Sequence, residues 1–160
     1  MTPVTGPSRQ LRQPEDNTAA LLGQAWTVLG HRILDGVQAA GHPIRMAHSI
    51  VFVHIELAGI RLTELAARTS MTPQAMGELV DDLQRLGYLE RIPDPSDRRA
   101  KLIVLTDRGL DTLQAGFDTI SATEADLADL LGTRRLKELR AGLRKIIADG
   151  VTHGGAPRGP

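Results

Sequence analysis

Arg98 and Arg99 stand side by side in the run DPSDRRAKLIVLTDRG, residues 94–109. Guanidinium groups on a protruding turn suit phosphate oxygens and the groove of a nucleic acid. The surrounding residues can build such a turn. Pro, Ser and Asp precede the arginines, a β-branched apolar run follows, and Tyr88 to Ile92 can supply the partner strand. The expected product is a β-hairpin whose tip carries Arg98 and Arg99. Arg91 and Lys101 join the cationic cluster, set against Glu90, Asp94 and Asp97. Asp97 lies close enough to Arg99 to hold one guanidinium while Arg98 reaches out. An arginine so placed can enter a narrow minor groove, where the negative potential is concentrated. A plain solubilising turn is the alternative.

A second constellation lies upstream. Thr72 can cap a helix that has Pro73 at its first position, where the missing N–H costs nothing. Thr72, Gln74, Gly77 and Glu78 would face outward on its early turns. The Gln74 carboxamide can pair bidentately with adenine, and Thr72 can contact a phosphate or a thymine methyl. Glu78, Asp81 and Asp82 make the helix acidic. They repel phosphate unless they face cytosine amino groups, Arg85 or water. An ordinary capped surface helix competes with this reading.

Other chemistry is poorly supported. The histidines at 31, 42, 48, 54 and 153 form no i,i+4 pair, so no metal site and no cofactor is expected. Ser49 beside His48 is adjacency rather than catalytic geometry, and the chain has neither a nucleophile elbow nor a phosphate-binding glycine loop. We expect no enzyme activity. The absence of cysteine excludes disulfides and thiol redox sensing.

The elements that must position these residues follow from periodicity and caps. Residues 1–16, with Pro3, Pro7 and Pro14, read as a flexible arm. Asn17 caps a helix to about Ala40, with a stripe of Leu22, Trp26, Leu29, Ile33 and Val37. Residues 45–57 suit helix or strand. Helix is preferred, because Met46, Ile50, Val53 and Leu57 share a face. Arg61 and Leu62 can add a short strand. Thr63 can cap a helix from Glu64 to Thr69 with Leu62, Leu65 and Ala66 inward, and Ser70 and Met71 turn the chain. The next helix runs to about Leu86, is stopped by Gly87, and buries Ala75, Leu79, Leu83 and Leu86. Two short helices, a tight turn and a hairpin make a winged helix-turn-helix pattern.

Thr106 caps a long final helix. Its seam runs Leu110, Leu113, Phe117, Ile120, Glu124, Leu127 and Leu131. After an interruption at Gly132 and Thr133 it resumes at Leu136, Leu139, Leu143 and Ile146. A seam of this length needs a partner. Packing against the first helix of a second subunit is preferred to an intrachain hairpin. Residues 151–160 read as a flexible tail.

Composition sets outer bounds. The chain is 41% hydrophobic, 2% aromatic and of zero formal net charge. Its core must be aliphatic, which favours helices. No apolar run reaches the ~18 residues that a membrane span requires, so a soluble, intracellular protein is expected. Residues 109–133 are acidic and 134–145 basic; these blocks can neutralise each other or remain two solvated faces.

The stretch LTELAARTSMTPQAMGELVDDLQRLGYLERIPDPSDRRAKLIVLTDRG resembles the winged helix core of the multiple antibiotic resistance regulator (MarR) family. The LTELA helix, the LVDDLQRLGYLER lead into the wing, the Asp-Pro-x-Asp-Arg-Arg wing and the final LTDRG carry the resemblance, over about 65 residues from Met46 to Gly109. It implies a homodimeric prokaryotic transcription regulator in the cytoplasm and nucleoid, binding double-stranded DNA at a pseudo-palindromic operator. By position, Thr72, Pro73, Gln74, Ala75 and Gly77 correspond to the recognition-helix face, and Asp97, Arg98 and Arg99 to the wing motif. Many members release DNA when a small aromatic effector enters a crevice between the dimer region and the DNA lobe. Trp26, His48, Ile50, His54 and Phe117 come from the helices that would enclose one; plain core packing competes at Trp26 and Phe117. Family recognition helices often carry basic residues in their early turns, whereas this one has none before Arg85.

The expected architecture is mainly α with a small antiparallel β wing, dimerising through its N- and C-terminal helices. Residues 17–44 form a dimerisation helix, 45–106 the winged helix-turn-helix domain and 107–150 the C-terminal dimerisation helices. The expected function is a sequence-specific regulator, a repressor released by a small molecule. The alternative is a winged helix that has lost DNA binding and contacts protein instead.

Overall fold

Asn17, Thr72 and Thr106 each close the first turn of a helix with their own side chains. The computed structural model, which describes residues 17–153, shows Asn17 Oδ1 accepting from Ala19 N at 3.0 Å, Thr72 Oγ1 from Ala75 N at 3.2 Å, and Thr106 Oγ1 from Gly109 N at 3.1 Å. These bonds satisfy donors that a helix start leaves unpaired. The elements run α1 (Thr18–Ala39), α2 (Met46–His54), β1 (Ile60–Arg61), α3 (Leu62–Arg68), α4 (Pro73–Arg85), β2 (Leu89–Asp94), β3 (Asp97–Leu105), α5 (Asp107–Leu131) and α6 (Thr133–His153). The expected arm, 1–16, lies outside the described residues, as do 154–160 of the expected tail. Residues 151–153 belong to α6 rather than to a tail.

The strands form one antiparallel sheet in the order β1-β3-β2. Helices α2, α3 and α4 pack on it around a core of Val51, Ile60, Leu65, Met76, Val80, Leu83, Tyr88 and Ile103, all nearly or wholly buried. Left-handed backbone marks two turns: Ser70 (φ 55°) between α3 and α4, and Gly87 (φ 78°) after α4. Ser70 is a serine in a region that few side chains adopt.

Several local expectations need correction. Residues 46–54 are helical, but the buried side of α2 is His48, Val51 and Phe52, while Met46, Val53 and Leu57 are exposed. In α4 the deep residues are Met76, Val80 and Leu83; Leu86 is exposed and Ala75 and Leu79 only half-buried. Both helices carry more apolar residues than one stripe needs, so spacing alone admitted two faces. Helix α3 starts at Leu62, with Arg61 rather than Thr63 in the cap position.

Helix α5 packs against α1 of its own chain, contrary to the preference for a partner subunit's helix at that face. A Cβ on Gly36 would stand 2.3 Å from Thr119 Oγ1, and one on Gly116 3.8 Å from Val37. Arg32 of α1 pairs with Asp126 of α5. At the other end, Arg108 in the first turn of α5 donates to the Leu86 carbonyl at 3.1 Å and the Tyr88 hydroxyl at 3.2 Å, and lies over the Tyr88 ring. Thr112 Oγ1 and His42 Nδ1 meet at 2.9 Å. The Arg108 contacts join the long helix to the end of α4, and the Thr112 contact joins it to the segment between α1 and α2.

Trp26 and Phe117 are not core residues of the subunit: they are 74% and 51% exposed. With Leu21, Val28, Ile120, Leu130, Leu139, Ile146 and Ile147 they place large apolar side chains in the open on α1, α5 and α6.

Candidate nucleic-acid interface

The first turns of α4 present Thr72, Pro73 and Gln74 to solvent, with Glu78 one turn further. Gly77, expected to face outward, is half-buried against Leu62 of α3, where an added Cβ would meet Leu62 Cδ2 at 3.8 Å. Proline at the first helical position and the Thr72 cap fix this end of the helix without using the Gln74 side chain.

Two carboxylates of α4, Asp81 and Asp82, are matched, while Glu78 stands exposed. Asp82 pairs with Arg45 and Arg85, and Asp81 lies 2.7 Å from Arg91. Burial pushes the Asp82 carboxyl up, but Arg85, His48 and Arg45 together hold it below its usual value. His48 is 1% exposed; its Nδ1 accepts the Arg45 backbone N–H at 3.3 Å, and its Nε2 lies 3.6 Å from Asp82. Burial, then the Arg45 guanidinium, depress the His48 pKa from 6.5, against the raising influence of Asp82. Helix α4 is thus acidic in sequence but largely neutralised in its surroundings. An open concavity of about 740 Å³ lies along it, lined by Arg45, Met71, Ala75, Leu79, Asp82 and Arg85 among others. None of the five expected effector residues lines it.

Arg91, expected in the cationic cluster of the wing, is engaged with α4. Its guanidinium donates to Gln84 Oε1 at 2.5 Å and pairs with Asp81, tying β2 to α4. The hairpin apex is Pro95–Ser96, not the double arginine. Pairing runs to Pro93↔Lys101 and then jumps to Asp94↔Asp97, so residues 98–100 have no partner across the ladder. Arg98 and Arg99 therefore begin β3 in a bulge, a device that re-aims side chains at a sheet edge. Arg99 and Lys101 are exposed; the side chain of Arg98 lies outside what the structure describes. Asp97 meets Arg99 through the backbone rather than through its guanidinium. Its Oδ1 accepts the Arg99 backbone N–H at 3.1 Å, and its Oδ2 lies 3.9 Å from Arg61.

Sequence reasoning missed the pair Arg61–Asp94. Arg61 donates from Nε at 2.8 Å and from a terminal nitrogen at 2.5 Å to Asp94 Oδ2. Asp94 Oδ1 accepts from Ser96 N at 2.8 Å and Ser96 Oγ at 2.7 Å. Ser96, then Arg61, hold the Asp94 carboxyl down to about 2, against the opposing effect of burial. The Asp-Pro-Ser sequence signalled the turn, but nothing local signalled Arg61, 33 residues away.

Of the expected effector residues, His54 rests its Nδ1 3.1 Å from the Ile50 carbonyl, and Ile50 packs half-buried against the core. His48 is enclosed by Arg45 and Asp82. Trp26 and Phe117 are exposed on α1 and α5. Among the described residues, no helix is long and apolar enough to cross a membrane.

A capped helix led in by a short helix, with a bulged cationic hairpin tied beside it, defines a winged helix-turn-helix protein. Residues 42–100 match the model of the MarR family. Through this core the chain is similar to the MarR family. It is 30% identical over 88 residues to uncharacterized proteins of Mycobacterium bovis and Mycobacterium tuberculosis, covering 55% of this chain and 62% of theirs. The chain thus aligns to less than two thirds of the length of the curated relatives it matches. The structure resembles the transcriptional repressor CouR bound to a 23-mer DNA duplex, with 25% identity, a TM-score of 0.67, and 86% of this chain and 99% of that one covered. It also resembles wild-type MarR in its apo form from E. coli, with 21% identity, a TM-score of 0.67, and 84% and 98% covered. CouR from Rhodococcus jostii bound to p-coumaroyl-CoA matches with 24% identity, a TM-score of 0.64, and 82% and 92% covered.

Proposed function

We propose that this protein is a homodimeric, cytoplasmic, double-stranded DNA-binding transcription regulator, a repressor released by a small effector. The observation that carries the reading is the pairing of Asp81 and Asp82 of α4 with neighbouring arginines. With Asp81 and Asp82 matched by Arg91, Arg85 and Arg45, two of the three acidic residues no longer argue against a phosphate surface, and exposed Glu78 would have to face a base amino group or water. The free cations of the wing then set the sign of the field that a duplex meets. Gln74 and Thr72 would read base edges in the major groove, with the wing following the adjacent minor groove. The likeness to CouR, a transcriptional repressor bound to a 23-mer DNA duplex, supports the same reading.

The dimer would form through the exposed apolar residues of α1, α5 and α6, which otherwise leave Trp26 and Leu130, 74% and 77% exposed, in water. An aromatic effector would enter between these helices and the DNA lobe, near Trp26, Ile50, His54 and Phe117. It would act only by binding the two separations of the recognition helices unequally. CouR in complex with an aromatic acyl-CoA supports that class of effector. The test is a gel shift with the DNA upstream of the protein's own reading frame. Retarded DNA, competed poorly by unrelated duplex, is expected. If no duplex is bound while a protein partner is captured through α4, the interaction-module reading replaces this one.

A further inference from the structure

The wing tip lacks the usual means of support. Beyond Pro93↔Lys101 the ladder is broken, and residues 98–100 have no cross-strand partner. Side-chain hydrogen bonds hold the tip instead. Asp94 closes the turn through Ser96, and Arg61 grips Asp94 from below. Arg61 is unusually placed for this task. Its backbone occupies the cap position of α3, and its Cα pairs with Leu102 of β3. A single residue thus touches the start of the helix-turn-helix, the root of the wing and, through its side chain, the tip. The Asp94 side chain is 6% exposed and the Arg61 side chain 41%, so the carboxylate is shielded while its partner faces solvent.

We propose that Arg61 is a positioning residue for duplex recognition: clamped on Asp94, it fixes the angle at which the wing tip leaves the helix-turn-helix. The proposal rests on the DNA-binding reading and deepens it. The clamp sets where Arg98 and Arg99 stand relative to Gln74, so that helix and wing meet one duplex in register. A carboxyl held down to about 2 keeps the clamp charged at any pH at which DNA is bound.

The clamp makes a prediction opposite in sign to simple charge counting. Asp94→Asn removes a negative charge beside the duplex, and electrostatics alone would tighten binding. Loss of the clamp weakens it. The experiment measures binding of the parent, R61A, R61K, D94N and the R61A/D94N double variant to a duplex selected by the parent from random sequence. Hydrogen exchange of residues 97–101 is followed without DNA. We expect R61A and D94N each to weaken binding about tenfold, an order set by losing a hydrogen bond to a charged group. The double variant should be no weaker than either single one, R61K should restore part of the affinity, and exchange at 97–101 should rise in both single variants. If D94N binds as tightly as the parent or tighter, or if R61A and D94N are additive, the positioning role is overturned. If the parent selects no duplex but exchange rises as expected, the clamp exists and the DNA-binding reading is what fails, taking the proposed purpose of the clamp with it.

Discussion

Gln74 is the residue proposed to read a base. It is exposed on the first turn of α4, and its carboxamide has the donor and acceptor that adenine presents in the major groove. Gln74→Ala should cost about 1–3 kcal/mol at one base position and little on unrelated DNA; a uniform loss across sequences would assign it a phosphate role. For Arg98 the other kind of contact is proposed. Arg98→Ala should weaken binding to most sequences and lower the salt slope by roughly one, measured by anisotropy across a salt series. An unchanged slope would remove Arg98 from the interface. Arg91, grouped with it by proximity in sequence, is spent on Gln84 and Asp81 and should contribute to the joint between β2 and α4 rather than to the salt slope.

At the scale of elements, the joints decide behaviour. Gly109 lets α5 start against β2: a Cβ there would stand 2.2 Å from the Tyr88 carbonyl oxygen. Gly109→Ala should destabilise the fold by about 1–3 kcal/mol in urea unfolding, because a backbone oxygen cannot move aside cheaply. The α2–α4 joint holds His48 with its pKa below 6.5. Its neutral form is favoured by the fold, so the unfolded chain takes up the proton first. Stability contributed at this site is complete above pH 6.5 and is lost as pH falls through the lowered folded pKa. His48→Gln should flatten the decline of unfolding free energy below that pH; parallel curves for parent and variant would contradict it. The elements themselves were legible because their signals are local. Asn17, Thr72, Thr106 and Gly87 act within three residues of where they stand. The buried faces of α2 and α4, and the partner of Asp94, were not legible, because each depends on a neighbour supplied by the fold. Val51 and Met76 turn inward only once a sheet lies beneath them, and Arg61 meets Asp94 only once β1 pairs with β3.

The whole molecule divides into a winged helix with a closed core and a set of long helices with an open apolar face. The first half was readable as a family resemblance, since its turns, caps and double arginine sit in one continuous stretch. The second half gave periodicity without a partner, and the intrachain packing of α5 on α1 accounts for only one side of the seam. Leu110, Phe117, Ile120 and Leu139 remain exposed, which is the face a second subunit would cover. Removing residues 132–160 should leave a monomer by sedimentation velocity, since α6 contributes Leu139, Ile146 and Ile147 to that face; a stable truncated dimer would move the interface elsewhere. The most direct test of the account is selection of bound duplexes from random DNA by the full chain, with the mass of the resulting complex measured. The account predicts enrichment of an inverted repeat with half-sites about one helical turn apart, carrying two subunits per duplex. A pool that stays random at low salt, or a single subunit on an unrepeated site, would contradict it.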